Sequence, residues 1–369
     1  LGVLLAHRAL AQPPDILVGD LSTRAIFVLL DGEKRLAPDM ATLRAMGFAP
    51  EQVRWEAGTR LAQIPSGPNL LPLSFADLIR DQESGALYLL TGGKRAIPSE
   101  EFMAACGWSE AAARTLPTAL VAAIPELAPL PDLRPGMLIR QQGESCFYLL
   151  AGGKHWLPEE KTLAAGGWDA EAAVEIEPLL IKLIREREVI PSLYPGCLIQ
   201  QEGDDERVYI LDQGKHLIPN EETFVAYGWN RSRIWRLPAY ILEAIPEGAA
   251  LQEVKKGRNL FALGNWGQCT WYVAERRIAP STSDAKDWLA DAQANGFATG
   301  DYPMPGAVAV WGLARGEYGH VAYVETAYAN GVFAYADSNV CGWECVRTRI
   351  TNLNKEPGIL GFVYWKYDQ

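Results

Sequence analysis

Apolar positions in the first 250 residues come in short runs that recur at a fixed step. Leu78-Ile-Arg80, Leu138-Ile-Arg140 and Leu198-Ile-Gln200 stand 60 residues apart, with Leu17 61 before the first. Lys34, Lys94, Lys154 and Lys215 keep that spacing, as do Pro38, Pro98, Pro158 and Pro219. So do the pairs Gly47-Phe48, Gly107-Trp108, Gly167-Trp168 and Gly228-Trp229, and the last copy carries a shared one-residue insertion. Agreement of independent landmarks on one period marks tandem repeats. Four copies are expected, over 12–66, 67–126, 127–186 and 187–251.

One copy predicts its own elements. A short strand at Leu78-Ile-Arg80 leads to a second at Ala86–Leu90, a turn at Thr91-Gly-Gly-Lys94 and a third strand at Arg95-Ala-Ile97. Glycines between apolar runs signal a hairpin, because glycine reaches positive φ without steric cost. Ser99 reads as the N-cap of a helix with Glu100 and Glu101 in its first turn, ended by Gly107. A second helical piece is expected near 111–123. The aromatic after each glycine reads as a core plug rather than a sugar-stacking platform, since small units need a large apolar anchor. The repeated lysine sits on a turn, where a solvated charge is the default expectation. Cys106, Cys146 and Cys197 fall at unmatched positions in their copies and read as buried apolar residues.

The period stops near Leu251. A polar stretch, Gln252–Gly257, opens a region of different grammar over 252–369. Gly264-Asn-Trp-Gly-Gln-Cys-Thr-Trp-Tyr-Val-Ala-Glu-Arg-Arg277 sets Cys269 at the start of a helical run that ends on cations. The positive end of a helix dipole favours thiolate, and the polar neighbours Gln268 and Thr270 argue against a dry core position. A thiolate enzyme needs a base near neutral pH, and His320 is the only histidine after His216. It opens a strand, Tyr318–Glu325, that follows a strand-like Gly306–Trp311. Asn330-Gly331 turns the chain into Val332–Asn339. Two registers of this pair put a polar side chain on the face of His320: one sets it opposite Asp337, the other opposite Asn339. A one-residue slip would offer Ala336 or Ser338 instead. Either polar residue can orient one imidazole nitrogen and aim the other at Cys269. Glu325 falls on the opposite face.

These strings, Gly267-Gln-Cys-Thr-Trp-Tyr-Val-Ala274, Gly306–Trp311, Gly319-His-Val-Ala-Tyr-Val-Glu325 and Asp337-Ser-Asn339, resemble the CHAP family of cysteine- and histidine-dependent amidohydrolases and peptidases. The resemblance covers roughly 254–369. It implies an α+β fold, a papain-like domain with its nucleophile helix on an antiparallel sheet, preceded here by the four hairpin-plus-helix repeats. It implies cleavage of amide bonds in bacterial peptidoglycan, between muramic acid and L-alanine or within the peptide cross-bridge. Cys269 matches the nucleophile and His320 the base; Asp337 stands where relatives usually have glutamate, and Asn339 where they have asparagine. Gly264 occupies a position often held by tyrosine. Gln268 and Trp266 are candidates for oxyanion or substrate contact. The acid-rich calcium loop of some relatives has no counterpart before Cys269, so no metal and no cofactor is expected. The repeats more weakly resemble modules of secreted bacterial proteins.

Charge narrows the partners. The 369 residues carry 34 Lys+Arg against 45 Asp+Glu, net −11, and the whole excess lies before Lys255. An acidic surface repels phosphate backbones and anionic lipids, so nucleic acid is excluded as an expected partner, and a neutral glycan or a surface protein suits the repeats better. No apolar run is long enough for a membrane span. Residues 1–11, with Ala9-Leu-Ala11, resemble the tail of a secretory signal, which implies a secreted or cell-surface protein. The six cysteines form no CxxC pair. Cys341 and Cys345 can close a small disulfide loop or remain two thiols. The sequence thus predicts a secreted cysteine hydrolase of peptidoglycan whose repeats act as a targeting or spacing arm; the alternative is a surface-binding scaffold with an inactive CHAP-like domain.

Overall fold

A computed structural model describes residues 16–368. The candidate signal remnant at 1–11 lies outside the described residues. Residues 16–250 build four four-stranded sheets of one strand order. In the second, Leu78–Asp81 pairs antiparallel with Leu87–Leu90, which pairs with Lys94–Ala96 across the glycine turn. Ser99 accepts the Phe102 N–H at the start of the helix Glu100–Cys106, and Gly107 ends it in the left-handed region at φ 70°. The next stretch is not one helical piece. A short strand, Arg114–Leu116, runs parallel to Leu78–Asp81 before the helix Thr118–Ala123 begins.

Two expectations for these segments change. The turn lysines are not solvated. Lys94, Lys154 and Lys215 are buried, and each Nζ donates to carbonyls at the end of the segment's second helix, as with Lys94 to Val121 O at 2.7 Å and Lys215 to Ile245 O at 2.7 Å. A helix end leaves carbonyls without partners, and an ammonium satisfies them where water does not reach. Cys146 is exposed, whereas Cys106 and Cys197 are buried. The aromatics pack inward: Phe48, Trp168 and Trp229 are buried, and Trp108 and Trp168 donate their indole N–H to Leu183 O and Ala244 O.

The described chain divides into two compact units. One takes in the described chain through Pro135 with 150–154 and 176–187; the other holds 136–149, 155–175 and the described chain from 188 onward. Within the second unit, the C-terminal region has two helices, α1 (Cys269–Arg276) and α2 (Trp288–Ala294), and a six-stranded sheet. Its strands are β1 (Thr299–Gly300), β2 (Val308–Trp311), β3 (His320–Ala327), β4 (Val332–Ser338), β5 (Val346–Asn352) and β6 (Ile359–Val363). Their order is β1-β6-β2-β3-β4-β5, so the His320 strand is flanked by β2 and β4 and the edge falls to β5. The sheet's core does not stop at residue 252. Ile210, Phe224, Tyr227 and Trp229 of the fourth segment share one apolar cluster with Val308, Trp311, Tyr335 and Trp365. No helix among the described residues is long and apolar enough to cross a membrane.

Candidate active site

Cys269 is the first residue of α1, with Gln268 as an N-cap whose side chain makes no capping bond. The entry to the helix is tight. Gly267 has φ +82°, and a Cβ there would lie 2.7 Å from Glu344 Cγ and 3.1 Å from Trp343 Nε1. Ser338 Oγ donates to Gly267 O at 2.8 Å, tying the end of β4 to the residue two before the cysteine. Cys341 and Cys345 form a disulfide, which closes the loop bearing Trp343 and Glu344. At the other end of α1, Arg277 is wholly buried and its guanidinium donates to Gly306 O at 2.5 Å, Val363 O at 3.3 Å and Tyr364 O. That cation therefore fastens the helix to the sheet rather than serving a solvated helix end.

His320 opens β3 behind Gly319, whose added Cβ would lie 2.6 Å from Trp311 O. The β3/β4 pairing runs Tyr323↔Ala336 and Val324↔Tyr335, with a bulge between Val324 and Thr326. Continued toward the site, this register puts His320 across from Asn339, yet the imidazole bonds diagonally: Nε2 to Asp337 Oδ2 at 2.9 Å. Parity gave both residues the right face, and the diagonal neighbour won because Asn339 leaves the strand at φ 65° and sits exposed on the rim. Asn339 makes no hydrogen bond to the ring. Asp337 is fully buried and also accepts from Arg347, Nε to Oδ1 at 2.9 Å and Nη2 to Oδ2 at 3.3 Å. Arg347 lies opposite Asp337 in the β4/β5 register and escaped the sequence reading. The signal was there only in combination: a closed Cys341–Cys345 turn fixes which residue of the returning strand meets Asp337.

Electrostatics follow from this burial. Desolvation alone would depress the His320 imidazole, but the hydrogen bond to Asp337, the interaction with Cys269 and the charges of both override it and hold its pKa up at about 9, against an ordinary 6.5. Desolvation pushes the Asp337 carboxyl up, and hydrogen bonds and charge from His320 and Arg347 outweigh it, leaving the group below its ordinary 3.8. The imidazole is thus cationic at neutral pH beside an ionised carboxylate.

Cys269 and His320 open onto a cleft of about 590 Å³, lined also by Gln268, Asp284, Tyr318 and Asn339. Trp266 is not part of that lining; it is exposed beside it, edge-on to Trp271 with ring centroids 5.8 Å apart. Glu325 points away from the site and pairs with Arg276 at 3.4 Å. It lines a larger cavity of about 780 Å³ between the fourth segment and the sheet, which Cys269, His320 and Asp337 do not touch. Among the described residues, no group of three or more His, Cys, Asp or Glu is placed to hold a metal ion.

The family model of the CHAP domain matches residues 260–339. A probable autolysin, SsaALP, of Staphylococcus aureus is 38% identical over 79 residues, 20% of this chain and 29% of that protein. The staphylococcal secretory antigen ssaA2 of the same species is 36% identical over 86 residues, 22% of this chain and 30% of its own length. The chain therefore spans under a third of these two relatives. A solved structure of an N-acetylmuramoyl-L-alanine amidase from Staphylococcus aureus has 29% identity and a TM-score of 0.25, covering 27% of this chain and 30% of that one. Residues 260–339, which carry the cysteine, the histidine and the carboxylate that bonds it, are a CHAP domain.

Proposed function

We propose that this chain is a cysteine-dependent hydrolase of bacterial peptidoglycan, cleaving an amide bond between muramic acid and L-alanine or within the peptide cross-bridge. One observation carries the reading: a cysteine at a helix start shares an open cleft with a histidine whose far nitrogen is bonded to a buried carboxylate. The CHAP domain and its likeness to a probable autolysin support the substrate class.

The chemistry follows from the two ring nitrogens. Asp337 holds Nε2, so Nδ1 is the nitrogen left for Cys269. His320 takes the Cys269 proton, or the two already rest as an ion pair, and the sulfur attacks the amide carbonyl and forms a C–S bond. The backbone N–H of Cys269, free at the helix start, stabilises the oxyanion, with the Gln268 side chain as second donor. His320 gives its proton to the leaving amine as the C–N bond breaks. A water then loses a proton to His320, attacks the thioester and releases the acid and the thiolate. Asp337 keeps the ring oriented throughout, Asn339 shapes the cleft rim and Trp266 offers an apolar face outside it. Segments 12–66, 67–126, 127–186 and 187–251 act as a targeting or spacing arm for a neutral glycan or a surface protein, on a secreted chain whose catalytic region is 252–369.

Purified cell walls incubated with wild type and with Cys269→Ala test the reading. New amino groups from wild type alone are expected, without new reducing ends, and mass spectrometry of the fragments identifies the bond. Removal of the nucleophile should cost at least about a thousandfold. Walls left intact by both proteins, with both still pelleting with them, would favour the scaffold instead.

A further inference from the structure

We infer that Arg347 is a positioning residue for His320, acting through Asp337; this rests on the hydrolase reading above. An aspartate held only by its bond to an imidazole is free to turn about its own side-chain torsions, and the ring it orients turns with it. Here the second oxygen is claimed. Arg347 spans both carboxylate oxygens, and Oδ2 is shared between Nη2 and His320 Nε2. A guanidinium fork fixes the plane of a carboxylate as well as its place. The carboxylate then has one orientation, and the imidazole it holds points its remaining nitrogen one way.

The placement is specific. β5 is the sheet's edge, and Val346 and Ile350 on it are exposed, whereas the Arg347 side chain is 26% exposed and turned onto a residue that is 0% exposed. The register that sets Asp337 opposite Arg347 extends from Val332↔Asn352 to Ser338↔Val346 without a bulge. The disulfide-closed loop joins these strands at the end nearest the cysteine. The charged and titratable groups around the pair come from every neighbouring element: Cys269 and Tyr272 on α1, Tyr335 on β4, Arg349 on β5, and Arg315, which lines the cleft, with its partner Glu356. Arg315 is already paired with Glu356, which leaves Arg347 as the guanidinium that meets Asp337 directly, beside the His320 imidazole.

The test reads the thiol as well as the substrate. Wild type, Arg347→Met, Arg347→Lys, Asp337→Asn and the double variant Arg347→Met/Asp337→Asn are compared in the full chain. Cell-wall hydrolysis is measured beside the pH–rate profile of iodoacetamide alkylation, followed at the Cys269 peptide by mass spectrometry. Arg347→Met should slow hydrolysis about 10- to 100-fold through kcat, with KM little changed, and move the alkylation profile toward higher pH. Arg347→Lys, which keeps the charge and loses the fork, should fall between. The double variant should be no slower than Asp337→Asn alone, because the arginine has nothing left to position. Additive losses, or an alkylation profile that stays put in both arginine variants, would overturn the inference. Arg349→Met, on the same edge strand, controls for loss of the strand itself. If no protein cuts walls but the alkylation profiles shift as stated, the hydrolase reading fails and the coupling of Arg347 to the cysteine–histidine pair stands.

Discussion

The joint between the first two segments and the joint between the fourth segment and the CHAP domain use the same device for different ends. At the first, Gly47 lies in the left-handed region and a Cβ there would stand 2.6 Å from Gly92 O, while the Gly92 and Gly93 N–H groups donate to Ala45 O. At the second, Gly228 takes the same conformation, but the carbonyl 2.5 Å from its absent Cβ belongs to Arg276, the last residue of α1. The Ile278 N–H donates to Ala226 O at 2.7 Å, the position matched by Ala45 in the first segment. The C-terminal end of the helix that starts with Cys269 therefore occupies the place a following turn takes elsewhere. Both joints share an apolar core: Phe48 clusters with Ile79, Leu90 and Val121 of the second segment, as Trp229 does with Val308 and Trp365. At the second joint Tyr323 also donates to Gly228 O, and Trp229 meets Trp365 edge-on. The partner there is the sheet that carries His320, so the fourth segment helps to build the fold that holds the cysteine.

Removing the plug breaks the comparison hardest. Phe48→Ala and Trp229→Ala each delete a buried aromatic, at a cost of about 3–5 kcal/mol. Thermal unfolding followed with Cys269 alkylation should separate them. Trp229→Ala is expected to lower both the melting temperature and the reactivity of the cysteine, whereas Phe48→Ala leaves the cysteine as it was. Equal effects on the cysteine would mean the fourth segment is no more part of that fold than the first.

The glycines sharpen the same point with a smaller change. An L-residue in the left-handed region costs about 1–2 kcal/mol before any clash is counted. Gly47→Ala and Gly228→Ala should both pay this cost, and Gly228→Ala alone should loosen the C-terminal end of α1. Hydrogen exchange at α1 amides checks it, with faster exchange expected for Gly228→Ala only.

What could be read from sequence divides along the same lines. A helix start at Cys269 and a strand start at His320 are local, and alternation assigned the right face to the carboxylate. The choice between Asp337 and Asn339 was not local, since the two share parity and only the path of the chain after Ser338 separates them. Arg347 depended on the length of a turn whose closure the sequence left open. The buried lysines were misread because their partners, helix-end carbonyls, lie 27 to 30 residues further on. The three-residue parallel strand Arg114–Leu116 is too short for any periodicity to announce. The shared core of the fourth segment and the sheet was hidden by the period itself, which ends at Leu251 whether or not the packing does.

Acidity distinguishes the regions next, because the glycine joints are backbone contacts while the site carries a titrating pair. The folded His320 pKa, about 9, lies above its unfolded value of 6.5, so its contribution to stability is fully present below about pH 6.5 and is lost as pH rises through 9. Hydrolysis should show an alkaline limb near pH 9, with about a tenfold loss for the next pH unit. Melting of the CHAP region should weaken over the same range. An alkaline limb near 6.5 would mean that Asp337 does not hold the ring in solution.

The smallest change tests whether the fourth segment only supports the site or also tunes it. Tyr323 lies on β3, three residues from His320, and its hydroxyl donates to Gly228 O at 2.7 Å. Burial raises its pKa to about 12, so it remains a donor at any working pH. Tyr323→Phe keeps the ring and deletes one hydrogen bond across the joint, for about 1 kcal/mol. If the segment acts as a fold partner alone, that variant melts slightly earlier and hydrolyses walls at the wild-type rate well below its melting temperature. A changed kcat at constant stability would instead mean that strain at Gly228 passes along β3 to the imidazole, and the joint would then belong to the catalytic apparatus rather than to its support.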